Sequence, residues 1–435
     1  MSEPEIANIV SLTEDGRGLC DLPGKKVLVP DVLKGERVSL VRGRRRRNHE
    51  EGRLVEVLQG APDRVEPRCE YFGLCGGCVL QHMKPLKQWE FKQKLLADKL
   101  GAAGLDPQRW LPPLSGPEYG YRRRARLGVK DVPGKGRVLV GFRERGKPYI
   151  TVMDRCAILA PPAGDLLRPL ADLIGSLTLH NRLPQIEVAV GDNATALVFR
   201  ILAKPASADL AALEAFAKRY DIRIYLQPAG PDSIYALTEY SSMLYYELPD
   251  FDISIEFEPT DFVQINSELN RSMVAQAVDL LAPSPSERVL DLFCGLGNFS
   301  LPLARRAGRV VGVEGDASLV ARARRNAARH GLDNLEFHQS DLFTGEPDEP
   351  WQAQGYDCIL LDPPRAGAER IIGQVATLGA RRIVYVSCHP DTLARDAALI
   401  VREQGYHFVA AGIMDMFPHT AHVEAIVVFD RQTKE

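Results

Sequence analysis

The 435-residue sequence has no apolar run near the ~18 residues that span a bilayer, which excludes a membrane-crossing helix. Its start, Met1-Ser2-Glu3-Pro4-Glu5, lacks the basic and apolar regions of a secretory leader, so a cytoplasmic protein is expected. Net charge is also scarce. The 54 basic and 57 acidic residues leave −3, too little for bulk attraction to a polyanion. Internal repeats and low-complexity tracts are missing. With 45% hydrophobic and 26% charged residues, this excludes fibrous and disordered classes. At ~100–200 residues per domain, what remains is about two to four globular domains.

Charge is present locally. Residues 37–47 hold six arginines (Arg37, Arg42, Arg44, Arg45, Arg46 and Arg47) and no acid. Residues 121–147 hold ten basic residues against Asp131 and Glu144. A single such run reads as a solvated face; two beside strand-like sequence suit a nucleic-acid surface equally well.

Three segments are expected. Residues 1–60 alternate short apolar runs with turns at Asp15–Gly18, Leu22-Pro23-Gly24 and Lys34-Gly35-Glu36, which suits a small OB-like β-barrel. Residues 61–254 hold a cysteine-rich loop, a helix over 85–103 that is expected to pack on the domain formed by residues 255–435, and an α+β domain. That domain has strands near 125–129, 137–142, 185–190, 196–201 and 222–226, and a helix over 208–219 capped by Ser207. Residues 255–435 alternate strand and helix, the pattern of a doubly wound, mostly parallel α/β sheet.

In that last segment, Val289–Ser300 puts a buried strand before Gly295-Leu-Gly297 and a helix expected over 297–307. Glycines let a ligand approach the backbone, and the helix start faces it. Acids follow at three further strand ends: Glu314, Asp341 and Asp362. Glu314 is placed to accept ribose hydroxyls. Ser300 replaces the third glycine of a dinucleotide loop. This favours S-adenosylmethionine, which has no diphosphate to cradle, over a dinucleotide. Each acid alone reads as a cap or surface residue; the set does not. The fifth strand ends at Ser387-Cys388-His389-Pro390. Cys388 therefore meets the ligand edge near a helix start, which favours thiolate. Cys358 reads as core, Cys294 as a wall of the loop, and His389 as a capping or packing residue rather than a base.

Cys69, Cys75 and Cys78 crowd into one loop with Gly73, Gly76 and Gly77, and Cys156 lies downstream. Four thiolates suit zinc or an iron–sulfur cluster equally on ligand count.

The chain resembles the S-adenosylmethionine-dependent RNA uracil-C5 methyltransferases. The resemblance rests on Phe262-Val-Gln-Ile-Asn266, Asp362-Pro-Pro-Arg365, Ser387-Cys-His-Pro390 with Thr392–Asp396, and His422-Val-Glu424. It is nearest to the branch that methylates a uridine of 23S ribosomal RNA and carries a TRAM barrel and a four-cysteine [4Fe-4S] site. A different rRNA site or a tRNA is the alternative substrate. The resemblance implies a Rossmann-like methyltransferase domain, with Cys388 as nucleophile and Glu424 as base. It also implies cofactor contacts at Gln264, Phe293, Asn298, Glu314, Asp341 and Asp362, and an iron–sulfur cluster on Cys69, Cys75, Cys78 and Cys156. Phe293 stands where many relatives have tyrosine. Ribosomal RNA is the expected partner of a monomer with no obligate protein partner. Arg42, Arg44–Arg47 and Arg122–Arg126 are its candidate contacts. A radical methylating enzyme wants a different cysteine spacing, and a non-catalytic RNA-binding protein would not need Cys388 and Glu424 intact.

Overall fold

The computed structural model describes residues 3–344 and 349–431. The first two residues of the N-terminal segment and the last four of the C-terminal segment lie outside them. Among the described residues no helix is long and apolar enough to cross a membrane.

The first five strands close a barrel in the order Glu5–Leu12, Gly18–Cys20, Lys26–Val29, His49–Gln59, Arg37–Arg45. Alternation turns Ala7, Ile9, Val27, Val29, Val38 and Leu40 inward. Gly18 allows close packing: a Cβ there would sit 2.3 Å from the Val32 side chain, which would have to shift. The strand it opens is hidden in the Asp15–Gly18 turn signal, because three residues are too few to show a period. Glu36 is fully buried and accepts from the Leu33 and Ala61 amides and from Arg64. These bonds outweigh the upward push of burial and hold its carboxyl below the usual range. Through Arg64 they also tie the barrel to the segment that follows.

The arginine run on the barrel is partly spent internally. Arg42 pairs with Glu5 and Glu50, Arg45 with Glu50, and Arg46 with Glu51.

A second sheet has six strands in the order Tyr235–Ala236, Ile222–Gln227, Thr195–Arg200, Gln185–Val190, Arg124–Val132, Arg137–Gly141. Only Thr195–Arg200 and Ile222–Gln227 pair in parallel. Two helices, Leu167–Ser176 and Ser207–Tyr220, accompany it. The first is not among the elements expected from sequence. Ser207 does not cap the second; it is the first helical residue, after Ala206. Asp209 takes over the role, accepting from the Ala206 amide and from Thr178.

The third sheet runs Leu335–Gln339, Arg309–Glu314, Arg288–Leu292, Cys358–Leu361, Arg382–Ser387, Glu424–Arg431, Tyr406–Met414, Arg109–Trp110. The first five strands are parallel, and Glu424–Arg431 is antiparallel to both of its neighbours. The order reverses beside Arg288–Leu292, where such sheets bind ligands. The helix expected over 297–307 shrinks to Ser300–Ala304, because the residues before it stay open as a loop. A further helix, Ser267–Leu281, precedes the first strand and packs on the sheet; it too is absent from the sequence expectations.

The helix Pro85–Ala102 and the strand Arg109–Trp110 belong spatially to this third sheet, although they precede the second in sequence. Leu96, Leu100 and Leu105 share one core with Ile383, Tyr385, Ile400 and Phe408. The strand extends the sheet edge beside Ala410 and Ala411.

Candidate active site

The parallel strands deliver their carboxyl ends to one edge. A cavity of about 530 Å³ opens there, lined by Gln264, Phe293, Asn298, Glu314, Asp341, Asp362, Cys388 and Glu424. All eight residues assigned from sequence to cofactor binding and catalysis thus face one space.

The loop after Arg288–Leu292 makes the floor. Phe293 holds φ +64°, a left-handed conformation that costs a side-chain-bearing residue energy and persists only where the surroundings enforce it. Gly297, at φ +89°, is irreplaceable: a Cβ there would fall 2.1 Å from Leu301. A hidden strut lies beneath. Asp291 is fully buried and accepts from the Ser300 hydroxyl, pinning the first helical residue to the strand. Burial pushes its carboxyl up to about 7, with Asp362 and Glu314 adding to the rise. Asp291 is missing from the sequence-based site, although an acid inside an apolar strand is an available signal.

Glu314 is held from two sides. Its oxygens accept from the Gly295 amide and the Asp316 amide, both at 3.1 Å. Two amide bonds still leave lone pairs for ribose hydroxyls. The amide of Asn298 is locked by Asn270 (2.9 and 3.0 Å) and by the Tyr246 hydroxyl (2.9 Å). Asp341 accepts from the Phe343 amide at 2.9 Å, and the Phe343 ring packs on Phe293. Phe262, 71% exposed, and Phe417 add apolar walls that the sequence-based site does not include.

Cys388 is half-buried just before the helix Pro390–Arg402, whose N-cap residue is His389. The helix start does not decide its state. Burial first, then the carboxylates of Glu424 and Asp362, push the thiol up to about 11 against Arg365. Burial and these neighbours oppose the thiolate that the helix end favours. His389 makes no side-chain cap bond, and its Nδ1 is buried without a partner. Glu424 opens its strand beside Cys388. Burial and Asp362 push it up to about 8, with Arg365 and Lys92 opposing. Burial alone pushes Asp362 up to about 7. Four acids, Glu314, Asp341, Asp362 and Glu424, face one cavity with the Cys388 thiol, an acidic lining that favours a cationic ligand.

The cysteine loop lies elsewhere, against the second sheet. Gly73 turns it at φ +85°, and the Cys75 amide bonds the Tyr71 carbonyl at 2.9 Å. Gly76 is sewn to the Arg143 carbonyl. Cys69 and Cys156 line a second cavity, of about 410 Å³, with Tyr71, Tyr119 and Arg155. All four cysteines are free thiols within electrostatic reach of one another. Burial raises three of them: Cys75, Cys78 to about 12, and Cys156 to about 11. Among the described residues no three His, Cys, Asp or Glu side chains are placed to hold a metal ion.

Residues 198–346 match the family model described as tRNA (Uracil-5-)-methyltransferase, and residues 283–416 one described as a methyltransferase domain. The chain is 51% identical to a protein of Alkalilimnicola ehrlichii named 23S rRNA (uracil(1939)-C(5))-methyltransferase RlmD, over 100% of this chain and 98% of that one. A protein of the same name from Methylococcus capsulatus is 49% identical over 99% and 98%. The crystal structure of Pyrococcus abyssi tRNA (uracil-54, C5)-methyltransferase in complex with S-adenosyl-L-homocysteine matches at a TM-score of 0.75. That match covers 98% of this chain and 100% of that one at 24% identity, which shows a shared fold.

Proposed function

The chain belongs to the 23S rRNA uracil-C5 methyltransferase family, and from that premise we propose that Cys388 and Glu424 carry its reaction through a covalent adduct. The chain is an S-adenosylmethionine-dependent enzyme that methylates C5 of a uridine in 23S ribosomal RNA. The uridine we assign is the one named for the relatives, at position 1939. The observation that carries the mechanism is the shared cavity, in which a thiol, a raised carboxyl and the cofactor-side acids stand together.

C5 of uracil is a poor nucleophile. Addition of the Cys388 thiolate to C6 turns the ring into an enolate, and C5 then has electrons to take a methyl group. S-adenosylmethionine supplies that methyl group and a positive sulfonium. Glu424 then removes the proton from C5, the C5–C6 double bond re-forms, and the Cys388 sulfur leaves. Both groups must lose a proton that burial and their acidic neighbours help them keep. Glu314 receives the ribose hydroxyls; Gln264, Phe293, Asn298, Asp341 and Asp362 complete the cofactor's walls. A base held inside an RNA fold must leave its stack to reach Cys388. Ribosomal RNA as substrate puts the reaction in the cytoplasm.

Incubation with 23S RNA and methyl-labelled S-adenosylmethionine should place label in 5-methyluridine at one site. Label in tRNA instead would move the enzyme to the alternative substrate, and label on any other base would reject the reading.

For the cysteine loop we propose a [4Fe-4S] cluster on Cys69, Cys75, Cys78 and Cys156. The donor set fits: four free thiols within electrostatic reach of one another, two of which, Cys69 and Cys156, line a cavity. A cubane binds one thiolate at each iron, so it suits thiols that do not converge on one point.

The barrel serves as an RNA platform through the arginines left to solvent. Arg44→Gln with Arg47→Gln should weaken RNA binding and flatten its salt dependence. The slope of log K against log salt falls by about 0.7 for each single-strand phosphate that is no longer neutralised. An unchanged slope, measured by filter binding over a salt series, would exclude these two residues.

A further inference from the structure

The cavity is completed by the connection between the last two strands, Tyr406–Met414 and Glu424–Arg431. It contributes Phe417 and His422 and leads into Glu424. What fixes this connection is the helix Pro85–Ala102, from a remote part of the chain. Lys92 of that helix has no accessible surface. Its Nζ donates to Asp415 Oδ1 at 2.5 Å and to the Phe417 carbonyl at 2.9 Å. Trp89 Nε1 donates to the second Asp415 oxygen at 3.0 Å. One turn away, Gln88 Oε1 accepts from the His419 amide at 2.9 Å, and His419 itself stands at φ +66°.

A buried ion pair is a poor device for stability alone. Its desolvation consumes most of the attraction, and apolar replacements are often neutral or better. The pair therefore calls for another explanation, and its location supplies one. We propose that Lys92 is a positioning residue for the reaction: it fixes the loop that brings Phe417 and His422 to the cavity and keeps a positive charge near the Glu424 carboxylate.

The charges around Glu424 are few. Asp362 and the Cys388 thiol oppose its ionisation, while Arg365 and Lys92 favour it. His422 is kept neutral by burial and by Arg365, Lys92 and Arg122. Asp415 offsets part of the charge of Lys92, and burial pulls the ammonium down while Asp415 and Glu424 pull it back up. Lys92 is thus one of two cations that keep Glu424 available as a base.

The proposal rests on the reading of Glu424 as the base. Its test is the double variant Lys92→Met/Asp415→Leu, which replaces the ion pair by apolar groups of similar size. The measurement is release of the methylated RNA adduct against pH in a single turnover, alongside S-adenosylmethionine binding. Expected is a rise in the midpoint with slower release at pH 7, a modest shift because Lys92 acts on Glu424 less than burial, Asp362 and Arg365 do. Release should recover at higher pH. A wild-type midpoint and rate with intact cofactor binding would overturn the role of Lys92. Glu424→Gln separates the two ideas. Full turnover by that variant removes Glu424 as base. A stalled Glu424→Gln beside an unshifted Lys92 variant removes only Lys92.

Discussion

Glu424→Gln is expected to trap an enzyme–RNA adduct that survives denaturing electrophoresis and carries the methyl label, whereas Cys388→Ala is expected to form none. The two side chains act at opposite ends of one sequence of bonds. Without the sulfur, C6 gains no nucleophile, C5 gains no electrons, and RNA and cofactor bind without reacting. Without the carboxylate, addition and methyl transfer proceed, but the C5 proton has nowhere to go. Glutamine preserves size and hydrogen bonding and removes basicity. Loss of general-base help costs ~10²–10⁴-fold, enough for the adduct to accumulate. The pH dependence follows with its sign. Glu424 is raised to about 8, so its base form grows as pH rises toward and through that value. Release of the wild-type adduct should accelerate over the same range and fall off below it. An adduct without methyl label would put Glu424 before methyl transfer. An adduct formed by Cys388→Ala would transfer the nucleophile's role to Cys294, which also lines the cavity.

The catalytic edge is legible in the sequence because strand ends carry its chemistry. Gly295, Asp362 and Cys388 follow apolar strands, Glu314 ends one and Asp341 follows the strand Leu335–Gln339, and a parallel sheet brings such ends together whatever the loop lengths. What holds them is not legible. Asp291 looks like one more strand residue until Ser300 is seen to bond it. Asn270 and Tyr246, which lock Asn298, lie 28 and 52 residues away from it. Lys92 lies 323 residues from Asp415. Pairings of that separation leave no local period.

Electrostatics misleads in one instructive place. A cysteine before a helix suggests an activated thiolate, because a helix start favours negative charge. In the fold, burial first, and then Glu424 and Asp362 arriving from two other strand ends, push the thiol up against that influence. Local elements differ for a related reason. The helix after the cofactor loop starts late because Gly297 takes a left-handed conformation. Helix Pro85–Ala102 is plain in the sequence as a helix and as a candidate to pack on the catalytic domain, but the partners that anchor it, the core around Ile383, Tyr385 and Ile400 and the side chain of Asp415, lie far along the chain.

The largest effect on the molecule as a whole is expected from Cys78→Ser. Cys78 is the thiol at the junction of all three sheets. Its carbonyl accepts from Arg145, which also pairs with Asp31 of the barrel. The next two amides, of Val79 and Leu80, both donate to the His419 carbonyl in the connection that leads to Glu424. The thiol itself packs in the core shared by the second and third sheets. If the four thiols hold a cluster, the metal is what keeps a loop with little periodic structure in this position, because binding free energy at a structural site becomes folding free energy. Wild-type protein purified without oxygen should then be brown, with about four irons per chain. Cys78→Ser should lose the iron and most of the soluble yield, and what remains should have lost methyl transfer together with barrel docking. One zinc and no colour would keep the four-ligand site and change its metal. A metal-free wild-type protein with full activity would leave the four thiols as packing alone, and Cys78→Ser would then cost only what a small buried substitution does.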